Sequence, residues 1–160
     1  MRWFPIYTLT HGIVFLIGMV SGIYLLPILT SAPPPPESAF AALDATERLT
    51  GRFDREIRGS DFLHWGEGDI IVTAKRIAHR GKLAPGPDYK LYLAPTFVED
   101  AKEFLAIKDK SLNLGDIKGF SGFILDVPAE VDVKAYSTVV IWCERFGQFI
   151  SAAQYRKPGG

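Results

Sequence analysis

The sequence predicts an all-β domain, a β-sandwich or a barrel-like closure, preceded by one N-terminal transmembrane helix and a proline-rich linker. Three observations carry this reading. Apolar residues crowd the start: 20 of the first 32 are hydrophobic, against 48% over all 160 residues. Four consecutive prolines follow at positions 33–36. From residue 50 onward, short apolar and β-branched runs alternate with Gly, Pro, Asn and Asp clusters, the rhythm of many short strands. The expected division is an anchor, or uncleaved signal, at 1–31, a linker with a short helix at 32–49, and a β domain at 50–156.

The anchor is set by length and charge. No Asp, Glu, Lys or Arg occurs between Trp3 and Pro36, and residues 12–29 are almost unbroken apolar sequence. At ~1.5 Å per residue that run covers roughly 27 Å, close to the ~30 Å hydrocarbon core. A cleaved signal peptide is the alternative, but its apolar region runs only ~7–15 residues. Its one plausible cleavage site, Thr30-Ser31-Ala32, is followed by Pro33, a poor residue after a scissile bond. Trp3, Phe4, Tyr7 and Tyr24 stand where interfacial aromatics belong. Arg2 precedes the helix and the next basic residue is Arg48. The basic flank therefore keeps the N-terminus cytoplasmic and exports the domain to the periplasm or cell exterior. The bilayer is the first partner this implies.

The prolines at 33–36 fix an extended spacer at ~3.1 Å per residue, expected to hold the domain off the membrane. Residues 37–49 then read as a short helix with Phe40, Leu43 and Leu49 toward one side. Strands are expected at 51–57, 69–76, 89–94, 122–127, 138–144 and 148–153, separated by breakers such as Gly66-Glu67-Gly68 and Pro85-Gly86-Pro87-Asp88. Residues 98–107 read as one helical excursion, with Glu99, Asp100 and Glu103 on a solvated face.

Charge and cysteine count exclude several functions. Eighteen basic residues balance eighteen acidic ones, so no excess cation is available to neutralise nucleic-acid phosphates. One cysteine excludes a disulfide framework and a thiolate zinc finger. That cysteine, Cys143, lies in TVVIWCE, where the period-2 rule puts Val139, Ile141 and Cys143 on one face and Val140 and Trp142 on the other. It is either a small buried hydrophobe or, in an exported domain, a thiol able to ligate a metal or haem, form an intermolecular disulfide or cycle through oxidation. Trp65, Trp142, Tyr92, Phe123, Phe146 and Phe149 either build the core or line a planar pocket.

Five blocks occur in order: Gly51-x-Phe53, His64-Trp65-x-x-Gly68-x-x-x-Val72, Gly86-Pro87-Asp88-Tyr89-x-Leu91-Tyr92-Leu93, Leu114-Gly115-x-x-Lys118-Gly119-x-x-Gly122 and Val139-Val140-Ile141-Trp142-Cys143-x-x-Phe146. Through them the chain resembles the DM-13 domain family over residues 50–156. The resemblance implies an all-β exported domain with a role in electron transfer. It also makes Cys143 the redox thiol, with an unidentified redox partner. Ligand chemistry adds His64, His79 and Trp142 as candidate cofactor-binding residues. Non-covalent haem could use Cys143, His64 or His79 as an axial ligand, whereas covalent c-type haem lacks its Cys-x-x-Cys-His. Blue copper wants two His, one Cys and an axial Met, and both methionines, Met1 and Met19, lie outside the domain. The rival reading is a non-catalytic ligand-binding or interaction module in which Cys143 is structural.

Overall fold

The computed structural model describes residues 3–44 and 47–157. Arg2, on which the orientation argument rests, lies outside them, as do residues 45 and 46 of the expected 37–49 helix. The chain begins with helix α1 (Phe4–Leu29), which carries a proline in its first turn and Pro27 near its end. None of its described side chains is buried. Helix α2 (Glu37–Asp44) follows.

Eight strands come next: β1 (Leu49–Phe53), β2 (Gly66–Val72), β3 (Arg76–Leu83), β4 (Tyr89–Ala94), β5 (Leu112–Ile117), β6 (Phe123–Asp126), β7 (Thr138–Cys143) and β8 (Gln148–Gln154). They form two antiparallel four-stranded sheets, ordered β1-β2-β3-β6 and β5-β4-β7-β8. A short helix α3 (Ala101–Leu105), capped by the Asp100 side chain on the Glu103 N–H, occupies half of the expected 98–107 helix. The domain is thus a β-sandwich, and the chain as a whole is not all-β, because α1, α2 and α3 accompany it.

Alternation along the strands builds three apolar layers. Between the sheets lie Phe53, Ile70, Val72 and Ile77 from one side and Leu91, Leu93, Val139, Ile141 and Ile150 from the other. The outer face of the second sheet, with Tyr92, Val140 and Trp142, is covered by Phe104 of α3. β7 is consequently buried on both faces, which is why its sequence reads as an unbroken apolar run. The outer face of the first sheet is covered by Phe40 and Leu43 of α2, packed on Ile71 and Ala78.

That third layer corrects the expected spacer. Ala32 and Pro35 lie against the domain: the Ala32 N–H donates to the Lys118 carbonyl at 2.8 Å, and Pro35 reaches within 3.8 Å of where a Cβ on Gly122 would stand. The apolar face of α2 has a sheet to cover and holds the linker down. An eight-residue helix is marginal alone, so its order depends on that packing. Phe40→Ala is expected to cost about 3 kcal/mol of docking. Amide hydrogen exchange should then rise across α2 while the central strands β4 and β7 keep their protection.

Candidate functional site

Cys143 is the last residue of β7, paired with Tyr89 at the start of β4 and with Gln148 of β8. It faces the sandwich interior, as period 2 requires, but at the open end of the strand rather than at its centre. Only 2% of it is solvent-exposed. One side borders a cavity of about 210 Å³, closed by the 85–87 turn, by Leu63, His64 and Phe146, and by Val20, Ile23 and Tyr24 of α1. Gly86 allows the turn to lie flat on Tyr89, since a Cβ there would stand 2.3 Å from the ring.

Burial pushes the Cys143 thiol above its ordinary value, against backbone N–H groups of Phe146, Asp88 and Arg145 that favour the thiolate. The Tyr89 hydroxyl is raised as well, by burial first and by its proximity to Cys143 second. Both groups hold their protons at neutral pH.

His64 is positioned by an Asx turn. Asp61 Oδ1 accepts the N–H groups of Leu63 (2.7 Å) and His64 (2.8 Å), and Asp61 Oδ2 lies 2.9 Å from His64 Nδ1. Donation from Nδ1 to that carboxylate leaves Nε2 as the proton-accepting nitrogen. Burial opposes ionisation of Asp61, but His64 and the two backbone donors outweigh it and hold its carboxyl below the usual range. Neither Asp61 nor Tyr89 stands out in the sequence as a site residue; an Asp three residues before a His is the one local signal for the pair.

The other candidates lie elsewhere. His79 on β3 is fully buried between Phe53 (ring centroids 5.1 Å) and Phe123 (5.3 Å), and its Nε2–H donates to the Glu67 carbonyl at 2.9 Å. Trp142 points to the opposite face of β7 from Cys143, against Phe104 at 5.1 Å. Of the four predicted residues, the cavity therefore gathers Cys143 and His64 only. Beyond it, on the α3 face, the Tyr92 hydroxyl donates to Glu144, which also takes Lys108 Nζ at 2.7 Å. Burial, then Glu144, pushes Tyr92 up to about 12.

These positions test the cofactors. Blue copper requires both histidines beside the cysteine. His79 is committed to Glu67 between two phenyl rings, and no group of three His, Cys, Asp or Glu side chains converges among the described residues. Haem requires far more room than 210 Å³, which falls below the ~300 Å³ typical of small-molecule pockets. The residues fit neither group.

His79 has a measurable consequence. Burial lowers its pKa, against its bond to Glu67 and the charge of Asp69. The folded protein therefore binds this proton less readily than the unfolded chain. Its contribution to stability is complete above about pH 6.5 and is lost as pH falls toward the lowered folded value. The urea midpoint should fall as pH is lowered from about 6.5 to 5, above the carboxylate range, and His79→Phe should flatten that slope.

A protein-family model described as Electron transfer DM13 matches residues 59–155. The matched region contains every residue of the cavity wall except the three from α1. No curated protein and no solved structure gave a match.

Proposed function

The chain belongs to the electron-transfer DM13 family, and from that premise we propose that it is a membrane-anchored, exported redox module whose reacting group is the Cys143 thiol. In this reading residues 1–31 are the anchor, 32–49 the linker and 50–156 the functional domain. The observation that carries it is the setting of Cys143, which borders a cavity together with a carboxylate-oriented histidine instead of being enclosed by aliphatic side chains.

Anchoring is supported by α1 itself. Its 26 residues span about 39 Å, enough for the ~30 Å hydrocarbon core, and none of its described side chains is buried, although Val20, Ile23 and Tyr24 border the domain's cavity. A signal sequence meets the same length and composition requirement, and the presence of residues 3–29 in protein extracted from membranes decides between them. With the N-terminus cytoplasmic, the domain lies in an oxidising compartment, where a lone thiol meets oxidants.

The proposed step is a two-electron oxidation by a hydroperoxide. Cys143 Sγ takes the outer oxygen, the O–O bond breaks, and the thiol proton travels by way of His64 Nε2 to the departing alkoxide. The products are a sulfenic acid and an alcohol, or water when the oxidant is hydrogen peroxide. Two exogenous thiols return the sulfur to the thiol, yielding one disulfide and one water. Because burial raises the thiol pKa, the thiolate fraction and the rate should rise with pH and still be climbing above about pH 8.5.

Trapping with a 1,3-diketone tests this on the full chain in nanodiscs. Hydrogen peroxide should yield one adduct, on the Cys143 peptide. No adduct at any pH between 7 and 9.5 would leave Cys143 as packing and the domain as an interaction module.

A further inference from the structure

We propose, resting on the membrane reading above, that the mouth of the Cys143 cavity opens at the outer surface of the bilayer, so that its occupant is an apolar molecule dissolved in the membrane. Within the redox reading, that occupant is a lipid hydroperoxide.

Three independent features of the junction lead here. The first is level. α1 is about six residues longer than the ~20 that cross the hydrocarbon core, so a core that begins at Phe4 ends near Tyr24 and one that ends at Leu29 begins near Thr10. In either placement Val20, Ile23 and Tyr24, the three α1 residues in the cavity wall, stand in the outer half of the core or at its outer boundary, where a tyrosine is at home.

The second is the tether. Only Thr30 and Ser31 separate the end of α1 from Ala32, which is hydrogen-bonded to Lys118 and continued by the docked α2. Even measured from Tyr24, the five remaining helical residues rise about 7.5 Å and Thr30 with Ser31 reach at most about 7 Å more, so the attachment at Ala32 stays within about 15 Å of the membrane surface.

The third is the rim. Phe62 is 83% exposed, Phe146 58% and Leu63 43%. Large apolar side chains exposed on a domain are unfavourable in water; Leu63 and Phe146 line the cavity, and Phe62 adjoins Leu63 in the chain, beside the only described helix able to cross a membrane. Continuity with α1 identifies what covers them as lipid. Size agrees: a 150 Å³ apolar cavity accommodates a benzene ring, so 210 Å³ takes a stretch of acyl chain with its oxidised carbon near Sγ.

The lone cysteine makes the test specific. The full chain in phosphatidylcholine nanodiscs is treated with N-dodecylmaleimide or with a sulfonated maleimide at equal concentration, and adducts at Cys143 are counted by mass. The membrane-dissolved reagent should label at least tenfold faster, and Phe62→Asp with Phe146→Asp, both at exposed positions, should remove most of that advantage. Equal rates, or a faster sulfonated reagent, would overturn the proposal by showing that the mouth opens to water. No labelling by either would overturn it by showing a closed cavity. Sulfenic acid formation with hydrogen peroxide is read separately, so a Cys143 that oxidises but shows no preference for the lipophilic reagent leaves the redox reading standing and removes this one.

Discussion

In the Cys143→Ser chain, hydroperoxide leaves no trappable adduct anywhere, and sulfenic acid formation falls from one equivalent per chain to none. The loss is complete because Cys143 is the only cysteine, and the thioethers of Met1 and Met19 oxidise to sulfoxides that a 1,3-diketone does not trap. The fold should survive. Serine places a smaller polar atom in the same position, and the backbone N–H groups of Phe146, Asp88 and Arg145 that favour a thiolate are able to donate to a hydroxyl. A buried hydroxyl with such donors costs about 1–2 kcal/mol, well short of unfolding a domain with this much core. Cys143→Ala separates the two effects: it loses the adduct equally but leaves those donors without an acceptor. A serine chain that keeps its urea midpoint within that margin, yet still consumes hydroperoxide at the parental rate, would remove Cys143 from the chemistry.

That Cys143 and Trp142 face opposite ways is legible in the sequence because side chains alternate along a turn-bounded strand, although the unbroken apolar run of β7 does not tell which face is the interior. β4 is legible for the same reason, and its bounds are those expected, 89–94. β3 is not. Its interior positions include His79 and its other face carries Arg76 and Arg80, so the apolar run that marks a strand is broken, and the expected 69–76 strand merges the end of β2 with the turn leading into β3. β5 escapes because it lies at a sheet edge, where Asn113 and Gly115 sit at a register irregularity opposite Leu91 and Tyr92.

For the site, local rules separate Cys143 from Trp142, since adjacent residues of one strand face opposite ways. They do not by themselves separate His64 from His79. What distinguishes the two is a turn closed by Asp61 in one case and a strand packed between two phenyl rings in the other. The first is local and signalled by Asp61 three residues before His64, whereas the burial of His79 depends on contacts across the fold. The docking of the linker is hidden for the same reason: four prolines prescribe an extended backbone, while Phe40 and Leu43, downstream of them, decide what that backbone lies against.

Gly81→Ala is expected to destabilise the domain by about 4 kcal/mol or more, because the added carbon would come closer to a neighbouring atom than at any other described glycine. Gly81 of β3 faces Gly68 of β2 across the ladder. A Cβ at position 81 would stand 2.0 Å from the Glu67 carbonyl oxygen, 2.7 Å from His79 Nε2 and 2.8 Å from the Gly68 Cα. Two of those three neighbours are backbone and cannot rotate away. The third is the ring whose N–H donates to that same carbonyl. Relief therefore requires the two strands to part, which breaks the His79–Glu67 hydrogen bond and leaves both groups buried without partners, at about 1–3 kcal/mol, beyond the lost ladder bonds. Gly68 cannot accommodate the shift, because its φ of +115° is already a conformation reserved for glycine. Gly115→Ala is the control. Its φ is +125° but nothing lies within 4 Å of the added carbon, so it meets backbone strain alone, about 1–3 kcal/mol. Urea unfolding of both variants in detergent decides the matter: midpoints that fall equally would mean that the close approach of β2 and β3 yields readily and that glycine at 81 serves only backbone freedom.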